Sequence, residues 1–507
     1  MKNILRILCC LSVWVSGTGI LSATDWSFAM RFDESIRNEP YTGRVYLFFS
    51  KGNREPRFGP SWFSPEPFAS KEVKNLSPGQ EVSLAAADDD LLFYPEKPQE
   101  FDPAGYQVQA VMRFDTWERE VGTGPGNGFS SAVRIPQEGK FDEQSALIVD
   151  QIVPKREFTE TPSVKPCVVE SPRLSQFYGR KVSLKAAVLL PAEYPTDPDR
   201  KFPALFIIPG FGGTHYEHRQ YARLYSTSND SLPMIRVLLD PACPEGHHVF
   251  ADSTVNGPWG TALVEEFLPE FEKQIRAIPH REARYLTGHS SGGWSSLWLM
   301  VSSPDSFAAT WSTAPDPVTF RDFQRIDMYA LNENIYWDRH REPRPLARIN
   351  GEVRLWYREF DHMETVLGHG GQLRSFEAVF GPKQADGSPT PAWDRKSGAI
   401  DPKAVEHWKQ YDIVDKLESE WDTLKPKLSG RLNVHMGDED TFYLEGATRI
   451  LKASLHDLGE PKAVTMHPGR NHFDLLTPQL REQIHNEIRA HYRKYFEPDG
   501  SVRKNNP

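Results

Sequence analysis

The sequence predicts an α/β fold with a doubly wound, mostly parallel sheet, preceded by a small all-β domain. In the second half of the chain, continuous apolar runs of strand length alternate with helical stretches, which is typical of a parallel sheet covered by helices. In the first half, short strand-like runs follow one another without helical periodicity. The 507 residues, 39% hydrophobic and 25% charged, supply enough apolar material for two or three soluble domains.

The first 23 residues have the form of a secretory signal peptide. Lys2 and Arg6 precede an apolar stretch at 7–20, and cleavage is expected near Ala23. An uncleaved N-terminal anchor is the alternative, although the stretch is shorter than the roughly 20 residues that span a bilayer. We therefore expect an exported protein, periplasmic or extracellular, with no membrane contact once the signal is removed.

Export would leave two cysteines, Cys167 and Cys243, in a compartment where disulfides persist, since Cys9 and Cys10 lie within the signal segment. A single disulfide bond and two separate buried thiols are equally open from the sequence. Neither cysteine has a second one at metal-ligand spacing.

Residues 24–153 are predicted to form the all-β domain, an immunoglobulin-like sandwich in its general architecture. The segment 105–115 places alternate apolar side chains on one face, and 43–50 and 81–87 behave likewise. The acidic run at 88–90 could be offered as a calcium site, but no regular ligand spacing follows it. A solvated turn is the better interpretation of that run.

A linker rich in Pro, Thr, Glu and Lys is predicted at 154–166, followed by the α/β domain at 167–507. Strands are expected at 182–190, 204–208 and 235–239.

Between about 315 and 425 the alternation stops, and the chain becomes rich in Trp, Tyr, His, Arg and Pro. This block is too long for a simple loop, so we interpret it as a cap inserted over the site. The α/β pattern resumes at 431–436 and ends with a helix at 478–495.

The candidate nucleophile is Ser290, in the motif Gly-His-Ser-Ser-Gly at 288–292. Helical spacing at 265–278 and again at 294–301 places this serine where a strand passes into a helix. The small residues two before and two after the serine let strand and helix approach closely. An ordinary Gly-rich turn is the alternative interpretation.

A candidate acid and base follow in the order serine, acid, histidine that α/β-hydrolases use. Asp440 comes shortly after a strand that ends near Met436, and His472 comes after the strand at 463–466. The loops at the carboxyl ends of parallel strands are where open sheets bind ligands. The three residues therefore predict nucleophilic acyl transfer with His472 as the base.

Neighbouring residues compete for two of these roles. His467 is the chief rival of His472 and lies nearer its strand. Asp438, Glu439 and Asp316 compete with Asp440 for the role of the acid.

The oxyanion hole is predicted from two backbone N–H groups, those of Ser291 and of Phe211 in the loop Pro-Gly-Phe-Gly-Gly at 209–213. The residues expected to border the substrate are Gly210, Gly212, His289 and Trp259. For the segment around Trp259, a packed turn is an equally good interpretation.

No metal and no cofactor are expected. The histidines at 215, 218, 247 and 248 match no recognised zinc spacing. The glycines at 210–213 are not followed by the Lys-Ser/Thr pair of a phosphate-binding loop.

Three motifs carry a resemblance to a known family. Gly-His-Ser-Ser-Gly-Gly, Gly-Asp-Glu-Asp-Thr-Phe-Tyr-Leu and Gly-Arg-Asn-His-Phe-Asp together resemble the esterase family of α/β-hydrolases, which includes esterase D-like enzymes, feruloyl esterases and siderophore esterases. The resemblance runs from Cys167 to the C-terminal helix, excluding the cap. In that family the acid stands just before a Thr/Gln/Asn-Phe pair, which implies Asp440 rather than Asp438.

The resemblance also implies a triad of Ser290, Asp440 and His472, and the N-terminal β-domain is similar to the arrangement in siderophore esterases. The long cap departs from the compact esterase D pattern, so no substrate is implied by any one member.

These observations predict an exported serine hydrolase that cleaves a small-molecule or carbohydrate-linked carboxylic ester through an acyl-enzyme. A serine peptidase of the same fold is the first alternative, because the same machinery cleaves amides. A binding protein that has kept a hydrolase scaffold is the second. The net charge of −10 argues against nucleic acid or an anionic membrane as the main partner.

Overall fold

The computed structural model describes residues 26–95, 97–137, 146–224, 232–497 and 501–503. The predicted signal peptide, with Cys9 and Cys10, lies outside these ranges. Within them, no helix combines the length and the apolar character that a membrane span requires.

The N-terminal part of the described chain is all β, as predicted. Nine of its strands form one sheet in the described ranges, in the order β4-β1-β9-β7-β6-β2-β3-β5, with β8 paired to β6. The pair β1/β9 is parallel and the other pairs are antiparallel. The strands are β1 (Ser27–Phe32), β2 (Tyr41–Ser50), β3 (Phe68–Leu76), β4 (Val82–Ala85), β5 (Leu92–Tyr94), β6 (Gln107–Met112), β7 (Gly128–Ser130), β8 (Val133–Arg134) and β9 (Leu147–Ile152).

The acidic run in this domain is paired with a lysine of a neighbouring strand. The Lys71 ammonium lies 2.8 Å from the Asp88 carboxylate and 2.9 Å from the Asp90 carboxylate. The run is thus a turn held by ion pairs to Lys71.

The second part of the chain is α/β, also as predicted. Its first strand begins at Val164, inside the predicted linker. The strands are β10 (Val164–Glu170), β11 (Ser183–Leu189), β12 (Ala204–Ile208), β13 (Ile235–Leu239), β14 (Ala242–Cys243), β15 (Gly246–His247), β16 (Asp252–Ser253), β17 (Gly257–Pro258), β18 (Arg284–His289), β19 (Ala309–Thr313), β20 (Pro345–Ile349), β21 (Glu352–Trp356), β22 (Leu432–Gly437) and β23 (Val464–His467). The α-helices are α1 (Pro172–Tyr178), α2 (His218–Leu224), α3 (Trp259–Ala262), α4 (Leu268–Gln274), α5 (Ser291–Ser302), α6 (Tyr357–Leu367), α7 (Gln372–Phe380), α8 (Pro402–Trp408), α9 (Ile413–Leu428), α10 (Glu445–Asp457) and α11 (Pro478–Tyr495).

Eight strands of the described chain form the central sheet, in the order β10-β11-β13-β12-β18-β19-β22-β23. Strands β10 and β11 are antiparallel to their neighbours, and the strands from β13 to β23 run parallel. The carboxyl ends of β12, β18, β19, β22 and β23 therefore lie along one edge, where the loops of an open sheet bind ligands. This strand order is that of the α/β-hydrolase fold, as predicted.

The inserted block lies between β19 and β22 and packs against both domains. The Arg44 guanidinium donates to the Thr365 carbonyl at 2.8 Å, and the Tyr46 hydroxyl donates to the Leu367 carbonyl at 2.8 Å. Both bonds join the N-terminal sheet to α6 of the insertion. Helix α9, which closes the predicted cap range, packs against α5 and so belongs to the layer that covers the sheet.

Both cysteines of the α/β domain are free and buried thiols. Burial raises the pKa of the Cys167 thiol to about 12 and raises that of Cys243 as well. The sequence left open a disulfide bond or two separate thiols, and the structure contains two separate thiols.

Candidate active site

Ser290 lies in a strained turn between β18 and α5. Its backbone has φ 60° and ψ −126°, a conformation that few non-glycine residues adopt without support from their surroundings. A Cβ at Gly288 would lie 2.1 Å from the Gly292 carbonyl oxygen, and one at Gly292 would lie 1.9 Å from the Ile208 carbonyl oxygen. The two glycines of the motif are therefore required by the close approach of β18, α5 and β12.

His472 and Asp440 are joined by a hydrogen bond in the interior. Nδ1 of His472 lies 2.8 Å from Oδ2 of Asp440, and both residues are buried. The other carboxylate oxygen, Oδ1, accepts from the Phe442 N–H at 2.8 Å. Burial lowers the pKa of His472, but the charge and hydrogen bond of Asp440, with the charge of Asp316, outweigh it and raise this pKa above its ordinary value.

The rival residues lie elsewhere. Nε2 of His467 is bonded to Nδ1 of His435 at 3.1 Å, and burial lowers the pKa of both rings. Asp438 accepts from the Gly469 N–H at 2.7 Å, and Glu439 is exposed. The geometry thus pairs His472 with Asp440 and leaves these three alternatives outside the pair.

Asp316, considered from the sequence only as a rival acid, lies against the candidate nucleophile instead. Its Oδ1 accepts from the Ser290 hydroxyl at 3.3 Å, and its Oδ2 accepts from the Ser291 hydroxyl at 2.5 Å. Gln372 of the insertion donates to Oδ2 at 3.4 Å. Burial raises the pKa of Asp316 to about 6 against the lowering effect of the two serines and His472. The sequence signal that could have placed Asp316 beside Ser290 was its position shortly after β19, because β19 is the neighbour of β18 in the sheet.

The loop at 209–213 passes directly beside Ser290. A Cβ at Gly210 would lie 3.2 Å from the Ser290 Cβ, and Gly212 has φ +86°. The Gly213 N–H donates to the Gly210 carbonyl at 3.0 Å and closes the turn. Within the part of the chain that is described, the Phe211 N–H donates to no backbone carbonyl. It is therefore free to donate to a substrate oxygen.

Helix α5 begins at Ser291, and its N-terminus faces the same space. The Ser291 N–H also has no backbone acceptor among the described residues. Free N–H groups and the positive end of the helix dipole favour a developing negative charge here.

A cavity of about 620 Å³ opens over Ser290 and His472. Three parts of the chain contribute to its wall: the N-terminal domain, the hydrolase loops and the insertion. The predicted border residues Gly210, Gly212 and His289 line it. Aromatic side chains form much of the remainder, namely Trp62, Phe63, Phe211, Tyr221, Phe360, Phe376, Phe442 and Phe473.

His289 is a neutral neighbour of the candidate base. Its ring centroid lies 4.6 Å from that of His472, and burial lowers the pKa of His289 to about 3. Nδ1 of His289 lies 3.1 Å from the Thr313 hydroxyl, which itself donates to the Gly288 carbonyl at 3.0 Å. Since that hydroxyl has one proton, Nδ1 of His289 carries the hydrogen of the first bond.

Trp259 does not border this cavity. Its indole is buried and stacks on the His248 ring, with centroids 3.9 Å apart and planes at 6°. The prediction that it faces the substrate is corrected in favour of the packed turn, because the buried indole is not among the residues that line the cavity over Ser290.

Within the described ranges, no group of three or more His, Cys, Asp or Glu side chains is arranged to hold a metal ion.

A family model described as "Putative esterase" matches residues 179–473, which is more than half of the chain. A search of curated proteins found no match.

Several solved structures are similar in fold. An S-formylglutathione hydrolase from Agrobacterium tumefaciens is 14% identical, with 66% of this chain and 98% of that chain covered and a TM-score of 0.38. Est1E from Butyrivibrio proteoclasticus is 16% identical, with 64% and 99% covered and a TM-score of 0.35. A ferulic acid esterase from Anaeromyces mucronatus, in complex with ferulic acid, is 14% identical, with 67% and 93% covered and a TM-score of 0.33.

Proposed function

The chain belongs to the esterase family and is a serine hydrolase of the carboxylesterase type, and we propose that it cleaves its ester through an acyl-enzyme on Ser290. Ser290, His472 and Asp440 act as the triad. The observation that carries this proposal is the buried 2.8 Å bond between His472 and Asp440 at the cavity that Ser290 lines.

The chemistry proceeds in two halves. The Ser290 oxygen attacks the ester carbonyl carbon while Nε2 of His472 takes the hydroxyl proton. Collapse of the tetrahedral intermediate breaks the bond to the alcohol, which leaves with the proton from His472. Water then attacks the acyl-enzyme by the same route, and the acid product leaves as Ser290 regains its proton. Asp440 holds the Nδ1–H of His472 and stabilises the imidazolium in both halves.

The N–H groups of Phe211 and Ser291 receive the oxyanion of each intermediate. Such donors cost no reorganisation at the moment of reaction, because the loop and the helix N-terminus already hold them. Removal of one oxyanion-hole donor from a serine hydrolase typically costs about 10²–10³ in kcat.

The Ser290 hydroxyl must turn from Asp316 to His472 before reaction. Its 3.3 Å bond to Asp316 is long, so little is lost when it rotates. Catalytic hydrogen bonds often tighten only when the substrate is bound.

The cavity favours an ester with an apolar acyl or alcohol group. Its wall is rich in aromatic rings, and Phe473, beside His472, is 68% exposed at the site. An extended peptide typically docks through main-chain hydrogen bonds to an exposed sheet edge, whereas this site is a cavity rich in aromatic side chains. A small-molecule or carbohydrate-linked ester is therefore the proposed substrate, in preference to a peptide.

The proposal is tested with p-nitrophenyl esters and peptide p-nitroanilides, which release chromophores that are followed in the same way. We expect turnover of the esters and none of the anilides. His472→Ala should remove ester turnover by a factor on the order of 10⁴–10⁶. His467→Ala is the matched control, because it removes the histidine at the end of β23, five residues before His472, and not the one bonded to Asp440. Faster cleavage of anilides, or equal losses in both variants, would contradict the proposal.

Export is also proposed, on the signal-like residues 1–23. Expression of the full chain in a secreting bacterial host should yield a mature protein outside the cytoplasm that begins near Thr24. N-terminal sequencing checks this, and an intact Met1 on cytoplasmic protein would count against it.

A further inference from the structure

The N-terminal domain reaches into the active site and contacts Phe211, the residue proposed to supply one oxyanion-hole N–H. The Trp62 ring stacks on the Phe211 ring, with centroids 5.9 Å apart and planes at 29°. The Arg119 guanidinium carbon lies 4.8 Å from the centroid of the same phenyl ring. Two side chains from a separate domain thus contact the phenyl ring of Phe211.

Arg119 also contacts the backbone of the loop. Its Nη2 donates to the Gly212 carbonyl at 3.4 Å. A Cβ at Gly212 would lie only 2.9 Å from that nitrogen, so the glycine leaves the room that the guanidinium occupies. On the other side, a Cβ at Gly370 of the insertion would lie 2.7 Å from the Arg119 Cβ. The arginine is enclosed between the loop and the insertion.

A network of charges fixes the guanidinium in place. Arg119 lies 3.0 Å from the Glu120 carboxylate, and only 18% of its side chain is exposed. That carboxylate also receives Arg156 at 2.8 Å and the Thr123 hydroxyl at 2.5 Å. Because Glu120 is itself held by two further groups, the guanidinium loses little freedom when it contacts the loop.

Trp62 is held in the same manner by aromatic neighbours. Its ring meets Phe360 of the insertion edge-on at 5.1 Å and 88°, and Phe442 edge-on at 6.1 Å and 86°. Phe442 is also the residue whose N–H donates to Asp440. The indole therefore lies where the N-terminal domain, the insertion and the acid loop meet.

The loop needs an external support of this kind. Phe211 is flanked by Gly210, Gly212 and Gly213, and glycines impose little conformational restriction on the backbone. An oxyanion hole is effective only when its donors are already aimed, and a displacement of about 1 Å can cost about 10²-fold in rate.

We propose that Arg119 and Trp62 are positioning residues that hold Phe211 in its oxyanion-hole conformation, so that the N-terminal domain is part of the catalytic unit. The inference rests on the proposed function, since it assigns the Phe211 N–H to the oxyanion. A hydrolase domain with this loop would be incomplete without the two side chains.

The test compares Arg119→Met with Arg44→Met in the full chain. Arg44 is a matched control, because its side chain is 21% exposed and bonds to carbonyls of the insertion, not to the loop. The readouts are kcat and KM for p-nitrophenyl acetate, the affinity for a trifluoromethyl ketone, and the melting temperature. The ketone forms a tetrahedral adduct whose oxyanion occupies the hole, so its affinity reports the position of the donors.

We expect Arg119→Met to lower kcat about 10- to 100-fold, with KM nearly unchanged and a loss of ketone affinity of similar size. Arg119→Lys should recover part of both losses, because it restores the positive charge over the ring. Trp62→Leu should lower kcat in the same way, and it tests the proposal if Arg119→Met does not fold. Arg44→Met should keep kcat and ketone affinity within about twofold.

The proposal is overturned if Arg119→Met and Trp62→Leu keep the kcat and ketone affinity of the unaltered protein, or if Arg44→Met loses as much as they do. A loss confined to KM or to melting temperature also overturns it, because a merely structural role would produce that result. If the unaltered protein itself turns over no ester, the proposed function fails and this inference falls with it. If that protein is active and the variants match it, only this inference fails.

Discussion

At the scale of residues, the site contains two buried carboxyl groups that do different work. Asp440 bonds to His472 and stabilises a positive charge on the imidazole. Asp316 bonds to the hydroxyls of Ser290 and Ser291, and burial raises its pKa to about 6. Asp440 is thus the partner of the imidazole, and Asp316 is the partner of the two serine hydroxyls.

The pH dependence of ester hydrolysis tests this division. His472 must be neutral to accept a proton, and its pKa is raised, so kcat/KM should rise with pH through a midpoint above 6.5. Asp440→Asn should lower kcat about 10²–10⁴-fold and move the midpoint of the residual activity downward, because the carboxylate charge that raises the His472 pKa is gone.

Asp438→Asn is the control for that measurement, since the Asp438 carboxylate accepts from the Gly469 N–H and the described contacts include none between it and His472. It should leave both rate and midpoint unchanged. Loss of activity in Asp438→Asn together with an active Asp440→Asn would show that the acid is wrongly assigned, although Ser290 and His472 could stand.

The sequence proposed Ser290, Asp440 and His472 from their chain order and their places after strands, and the preference for Asp440 over Asp438 came from the resemblance to the esterase family. It could name Asp316 only as a rival acid, since strand order alone does not tell which side chains meet at the sheet edge. Arg119 could not be found, because its contact with the loop joins residues far apart in the chain.

At the scale of elements, the close approach of β18, α5 and β12 brings Ser290, the proposed nucleophile, to the cavity. The strands predicted at 204–208 and 235–239 and the helix predicted at 478–495 have these same bounds in the structure. Their uninterrupted apolar or helical patterns explain that agreement. The cap was predicted as a block, but the residues that face the cavity, such as Phe360 and Phe376, follow from packing that the sequence does not show.

Gly292→Ala tests the elbow packing. The new Cβ would lie 1.9 Å from the Ile208 carbonyl oxygen, which is strand backbone and has no space to retreat. We expect the free energy of unfolding to fall by about 3 kcal/mol or more, beyond the common range for overpacking, as measured by denaturant unfolding.

Gly52→Ala is the control for that variant, because the nearest atom to its new Cβ, the Ser50 hydroxyl oxygen, would lie at 3.5 Å. Its free energy of unfolding should change by less than about 0.5 kcal/mol. Equal stability of the two variants would contradict the close packing of Gly292 against the Ile208 carbonyl.

At the scale of the whole molecule, one buried cluster joins the two domains and the insertion, while the N-terminal sheet also has a separate cluster of its own. Tyr46, Phe48 and Phe68 of the N-terminal sheet belong to the same buried cluster as Phe206 of the central sheet and Phe360 of the insertion. The sequence indicated two domains and a cap but not this continuity, because relative placement depends on contacts between distant segments.

Calorimetry tests that continuity. Since the buried cluster spans both domains, thermal unfolding of the full chain should give a single transition with equal calorimetric and van't Hoff enthalpies. Two separated transitions would mean that the domains unfold independently, and the support of the oxyanion loop by the N-terminal domain would then be lost at the first of them.

The most direct test of the central claim is covalent labelling of Ser290. The full chain should react with a fluorophosphonate probe at one residue, identified by peptide mass spectrometry as Ser290, with ester turnover lost in proportion to labelling. Ser290→Ala should neither react nor turn over ester, while keeping its melting temperature. Labelling of another residue, or a folded Ser290→Ala protein that still hydrolyses esters, would contradict the account.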